Sequence, residues 1–109
     1  MSKESKDLNY LGEFEHIVLL SIMQLDPEAH GAPIRRMIEE RCSRPVSFGA
    51  LYSTLRRLRG KGFVRASQAP GASGHSRQLF SVTRAGRAAV EAAQGRLRSM
   101  ARGLMLSES

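Results

Sequence analysis

Apolar residues between Leu11 and Leu25 recur at helical spacing: Leu11, Phe14, Ile17, Val18, Leu19, Leu20, Ile22, Met23 and Leu25. They cover more than one face, which predicts a first helix buried on two sides. A 109-residue chain has little to place on both sides, so the pattern implies a partner subunit. Asp26-Pro27 closes the helix, because proline disfavours helical geometry in the residue before it. A second helix follows Gly31, with Pro33 in the first turn, where its missing N–H costs nothing. Ile34, Met37 and Ile38 form its inward stripe, with Cys42 a candidate last member. Arg35, Arg36, Glu39 and Glu40 are expected to face water, and Arg44-Pro45 breaks the helix.

Ser47 is a good N-cap for a third helix, its hydroxyl available to an orphan amide. Leu51, Leu55 and Leu58 define the inward face of that helix. At 100° per residue, Gly49, Ser53, Arg56 and Arg57 point the other way. Gly60 and Gly62 end it. Phe63–Ser67 and Gln78–Val82 read as the two strands of a hairpin joined by the Gly/Pro/Ser-rich stretch 68–75. Thr83 caps a long terminal helix expected from Arg84 to Leu104. Val90, Ala93, Leu97, Met100 and Leu104 alternate spacings of three and four there, forming a heptad seam. Such a helix has little core of its own, and a dimer is the economical answer. No internal repeat or dividing linker is present, so the chain reads as one domain. Three helices, a hairpin flanked by arginine and a long helix make a winged helix-turn-helix arrangement, mainly α (α+β), with a two-stranded wing and a long C-terminal dimerisation helix.

Charge sharpens this picture. The formal net charge is +7, from 17 Lys+Arg against 10 Asp+Glu. Residues 1–41 hold five of the basic residues and eight of the acids; residues 42–109 hold the other twelve against only Glu91 and Glu108. All but three of the basic residues are arginine, whose planar fork suits bidentate contact with phosphate or guanine. A polyanionic partner is implied, since neutralised phosphates release counterions. The segregation suggests an acidic scaffold followed by basic recognition elements. Arg56 and Arg57, opposite the leucine stripe, are candidate DNA contacts. Arg77 and His75 of the wing are candidates for the DNA backbone or a narrow minor groove, and Tyr52 for a phosphate through its hydroxyl. Arg59, Lys61 and Arg65 read as general field.

Other chemistries find little support. One cysteine cannot form an internal disulfide, which fits a reducing cytoplasm. Cys42 reads as a small hydrophobe at a helix end rather than a redox sensor. The N-terminal decapeptide lacks the apolar stretch of a signal peptide. The longest apolar run, Ile17–Leu20, is too short to cross a membrane. A soluble cytoplasmic protein without membrane association is expected. His16, His30 and His75 lack metal-ligand spacing, so no metal or cofactor is expected. No nucleophile–base pair or phosphate-cradling loop appears, and adjacent Glu39 and Glu40 point apart on a helix. An enzyme is not expected.

Five segments in order resemble the PadR-type winged-helix transcriptional regulators over roughly residues 11–90. They are Leu11-Gly12-Glu13-Phe14-Glu15; His30-Gly31-Ala32-Pro33-Ile34; Pro45-Val46-Ser47-Phe48-Gly49-Ala50-Leu51-Tyr52-Ser53-Thr54-Leu55; Leu58 with Lys61-Gly62-Phe63-Val64; and Val82-Thr83-Arg84-Ala85-Gly86-Arg87. The resemblance is to the short branch of the family, with one terminal helix. It implies a homodimeric repressor binding a two-fold-symmetric double-stranded operator, with half-sites about 10 bp apart. Carried over by position, helix contacts come from Ser47, Gly49, Ala50, Tyr52, Ser53, Arg56 and Arg57, and wing contacts from Ser73, Gly74, His75 and Arg77. The dimer joins the first-helix region (Phe14, Val18) to the terminal helix (Val90, Ala93, Leu97, Met100, Leu104). The implied division is a flexible N-terminus over 1–10, a DNA-binding domain over 11–83 and a dimerisation helix with a short tail over 84–109. The sequence departs from many relatives, which carry Pro where Ser53 stands and Tyr where His30 and Leu79 stand. It also has no Trp to build the aromatic drug pore of some short relatives.

A small-molecule effector would act by stabilising one of two dimer states. Its candidate site is the cleft between first and last helices, with Met23, Met100 and Met105 as adaptable lining. Two rivals remain at this level. One is a nonspecific architectural or RNA-binding basic protein; the other is a winged-helix protein-interaction module that has lost DNA binding.

Overall fold

The computed structural model of the chain describes residues 10–71 and 76–104. Helix α1 spans Glu13–Leu25, with Gly12 as N-cap and Glu13 and Glu15 in its first turn, where acids complement the helix dipole. The helix starts two residues later than Leu11 because Glu15 folds back to accept the Gly12 amide at 3.1 Å. It ends as expected at Asp26, whose N–H reaches the Ile22 carbonyl. Helix α2 spans Gly31–Cys42 with Ile34 and Ile38 fully inside, and Ser43 closes it in the left-handed conformation at φ 54°. Cys42 lies on the same stripe yet is exposed, correcting its assignment to the buried stripe. The reason is its place at the helix end, on the rim of an open groove between α1 and α2.

Helix α3 spans Phe48–Gly60 and is capped by Ser47, whose hydroxyl accepts the Ala50 amide at 3.0 Å. Leu51, Leu55 and Leu58 point inward as the periodicity predicts, joined by Thr54. The chain then turns through Gly62 at φ 80°, a conformation open to glycine without strain. Strands β1 (Val64–Pro70) and β2 (Ser76–Val82) pair antiparallel, from Val64 opposite Val82 to Pro70 opposite Ser76. The ladder extends through Gln68, Ala69 and Pro70, which the Gly/Pro/Ser-rich composition placed in the loop. Pro70 is accepted because a two-stranded sheet leaves every strand an edge. The Phe80 amide donates to the Ala29 carbonyl at 2.8 Å and stitches the hairpin to the α1–α2 connection.

Helix α4 spans Arg84–Ala101, capped by Thr83, whose hydroxyl oxygen accepts the Gly86 amide at 3.1 Å. The same hydroxyl donates to the Gly62 carbonyl at 2.7 Å. Gly86 has a packing reason: a Cβ there would be driven into the Phe63 carbonyl oxygen and against Val82 Cγ1. The helix ends three residues before Leu104, and Gly103 has φ 96°. The extended backbone of Arg102 closes the helix before the last position of the heptad seam. One core gathers Val18, Leu19 and Ile22 of α1, Ile34 and Ile38 of α2, the α3 leucines, Phe63, Val64, Phe80, and Val90 and Ala93 of α4. The expected flexible N-terminus, Tyr10 apart, and the tail beyond Leu104 lie outside the described residues.

Candidate nucleic-acid interface

The outward face of α3 carries small and basic groups and no acid. Ser47, Gly49, Ala50 and Arg56 are exposed and Ser53 is half-buried. Arg56 reaches back to the Ser53 hydroxyl at 3.4 Å. The Ser47 oxygen is occupied as an acceptor at the cap, while its O–H can still donate. The structure thus leaves Ser47, Gly49, Ala50 and Arg56 open to solvent, with Gly49, Ser53 and Arg56 on one line along the helix and Ser47 and Ala50 beside the groove toward Phe14 and Arg44.

Both ends of α3 are held by acids from the first third of the chain. At its start, the Val46 amide donates to Glu39 Oε2 at 2.9 Å and the Val46 carbonyl accepts from Arg35 at 3.3 Å. Arg35 and Glu39 are themselves 3.9 Å apart. Their expected role as a water-facing surface is corrected: they fix the turn that launches α3, while Arg36 and Glu40 do face water. At its end, the buried Glu15 carboxylate accepts from Lys61 Nζ at 2.9 and 3.0 Å and from Arg57 Nε at 3.4 Å. Burial raises the Glu15 pKa, but the Lys61 hydrogen bond and charge, the Gly12 amide and Arg57 outweigh it and hold the carboxyl below its ordinary 4.5. Lys61 is therefore a structural partner rather than part of a general field. Arg57 stays 56% exposed but is tethered to Glu15 and Thr54.

Tyr52 is turned from the exposed face. Its ring stacks on Phe48 at 6.3 Å, tilts against Phe80 at 6.4 Å, and its hydroxyl covers Gly31. A side chain at Gly31 would collide with that hydroxyl, so the His30-Gly31 and Leu51-Tyr52 motifs are two halves of one contact. Phe48, which sequence reasoning did not single out, is 44% exposed. On the wing, Arg77 folds back to Glu28 at 3.2 Å, and its Nε is buried without a hydrogen bond among the described residues. Ser73, Gly74 and His75 lie outside the described residues.

The expected dimer seam divides in two. Val18, Val90 and Ala93 are buried within the protomer, at 0, 1 and 6% exposure, so they leave little surface for a partner. Phe14 is half-buried under Arg44, whose guanidinium carbon lies 5.3 Å from the ring centroid. Leu97, Met100 and Leu104 are exposed at 63, 82 and 69%. The inner half of the stripe belongs to the protomer core, whereas the outer half stands open to solvent. Between them lies a cavity of about 440 Å³ lined by Tyr10, Leu11, Glu13, His16, Ala93, Arg96, Leu97 and Met100. Met100 lines it as expected; Met23 does not, and Met105 lies outside the described residues. Burial, and then the Arg96 charge, lower the His16 pKa below 6.5.

Sequence reasoning missed the two clamps on α3. The available signal was a pair of acids: Glu15, which helical spacing left unassigned, and Glu39, which it placed among the water-facing residues. Among the described residues there is no cluster of three metal-binding side chains, and no helix is long and apolar enough to cross a membrane.

A model of the transcriptional regulator PadR-like family matches residues 19–92. The fold is similar to a PadR-like transcription factor from Bacteroides fragilis, with TM-score 0.71 and 18% identity over 95% of this chain and 96% of that one. It is also similar to a PadR family transcription regulator from Clostridium difficile, with TM-score 0.68 and 21% identity over 88% of this chain and 99% of that one. Bacillus subtilis PadR, solved in complex with operator DNA, aligns with TM-score 0.62 and 13% identity over 74% of this chain and 47% of that one. No curated protein matches significantly.

Proposed function

The chain belongs to the PadR-like family of transcriptional regulators, and from that footing we propose that it is a homodimeric repressor of a two-fold-symmetric operator, released by a small-molecule effector. The family consists of DNA-binding regulators rather than enzymes. The observation that carries the reading is the outward side of α3, where Gly49, Ser53 and Arg56 form an acid-free line beside the exposed Ser47 and Ala50, launched by a fixed turn. Such a helix start offers small residues for close approach, N–H groups for phosphate and an arginine for base edges or phosphate. The complex of Bacillus subtilis PadR with operator DNA supports this choice of partner.

Dimerisation is supported by the exposure of Leu97 and Met100 on the outer half of α4. Covering them against a second copy would join two α3 helices in one assembly. The effector reading is supported by the cavity between α1 and α4, which has the size of a small-ligand site. A ligand that fits it in only one α4 position would shift the dimer between two α3 spacings. Footprinting tests the whole reading. Discrete protection with two-fold symmetry is expected; length-dependent coating of any duplex would replace it with a nonspecific architectural role.

A further inference from the structure

Phe48 is the first residue of α3, directly after the Ser47 cap, and is exposed. Isolated exposed apolar residues are ordinary, but this ring is fixed on two sides. The Arg35 guanidinium carbon lies 4.4 Å from its centroid, and Tyr52 stacks against it at 28° between planes. Arg35 is itself held by the Val46 carbonyl, and Tyr52 by its seat over Gly31 and Phe80. Neither support leaves a polar group on the ring, so Phe48 can offer only an apolar edge.

Resting on the reading of α3 as the DNA-contacting helix, we infer that Phe48 is a specificity residue that reads a thymine by packing on its 5-methyl group. The first residues of a recognition helix are those that meet base edges in the major groove. Thymine's methyl is the one apolar feature displayed there, and phenylalanine is among its apolar readers. Because the ring is already ordered by Arg35 and Tyr52, little side-chain entropy is lost on contact.

The test uses the full chain and sites selected from random duplex DNA. Each thymine of the selected site is replaced in turn by deoxyuridine, which removes only the methyl. At one position in each half-site the native protein is expected to lose about fourfold in affinity, the equivalent of about 0.8 kcal/mol for one buried methyl-sized group. Phe48→Ala should bind the thymine site more weakly and lose nothing further on uracil substitution there. Phe48→Leu, which keeps an apolar side chain, should retain part of the discrimination. Unchanged affinity of both variants for unselected duplex shows that the fold and the basic surface are intact. If Phe48→Ala and Phe48→Leu keep the native uracil penalty, the inference is overturned while the DNA reading stands. If the native protein selects no sequence, the DNA reading itself fails.

Discussion

Glu15 Oε1 lies 2.9 Å from the Lys61 ammonium, and both side chains are largely withdrawn from solvent, at 9 and 14% exposure. The pair joins the first turn of α1 to the residue that caps α3, 46 positions later in the chain. With Arg57 and the Gly12 amide it gives the carboxylate a full set of donors, which is what makes burying it tolerable. Glu39 does the corresponding work at the other end of α3. The helix that carries the candidate contacts is thus positioned by two acids engaged at its two ends.

Glu15→Gln and Lys61→Met should each destabilise the protein by about 2 kcal/mol, somewhat below a fully buried pair because Arg57 is open to water. The folded-state pKa of Glu15 lies below its ordinary value, so the stabilisation is complete above about pH 4.5 and is lost as the pH falls through the folded value. Urea unfolding at neutral pH should separate native protein from Glu15→Gln. At pH 3 the two curves should draw together, and an undiminished gap would contradict the assignment.

Gly86→Ala should cost about 2 kcal/mol, because the new methyl meets a backbone carbonyl that cannot step aside. Gly95→Ala is the matched control on the same helix. Nothing but the far end of Arg98 lies near it, so it should gain about 1 kcal/mol from helix propensity. Thermal melts of the two variants should move in opposite directions.

Arg56→Ala should weaken binding to a selected site and reduce the slope of log affinity against log salt by about one. Arg57→Ala should have the smaller effect on binding and the larger one on stability, since its guanidinium is tied to Glu15. Fluorescence anisotropy across a salt series, paired with melts, measures both. The reverse order would mean that the Glu15 tether is released on DNA.

Replacing Leu97 and Met100 together by lysine should convert the proposed dimer to a monomer with little change in protomer stability, because both side chains lie outside the protomer core. Light scattering after size exclusion reads the mass. Val18→Ala, by contrast, should lower stability by about 1–2 kcal/mol while leaving the oligomeric state unaltered.

Local signals were enough to predict the element order. Ser47 and Thr83 cap the helices they precede, Pro27 stops α1, and the leucine spacing of α3 points inward, because caps, breakers and periodicity act within one or two turns. The same signals could not say how far the hairpin ladder runs, since pairing at Gln68–Pro70 depends on the opposite strand.

The sequence by itself determined the winged-helix order, the basic face of α3 and the segregation of charge. Only the tertiary structure decided which members of each pattern are already engaged. Val90 and Leu97 belong to one heptad stripe, yet the first is buried in the core and the second stands 63% exposed at the rim of a cavity. Tyr52 and Phe48 are near neighbours on α3, yet Gly31 receives one and leaves the other outside. Arg57, Lys61 and Arg77 count equally toward +7, yet Glu15 and Glu28 hold them to the scaffold. Periodicity fixes a side chain's direction relative to its own helix axis. What waits in that direction is set by elements distant in sequence, and it determines whether the group stabilises the fold or remains available to a partner.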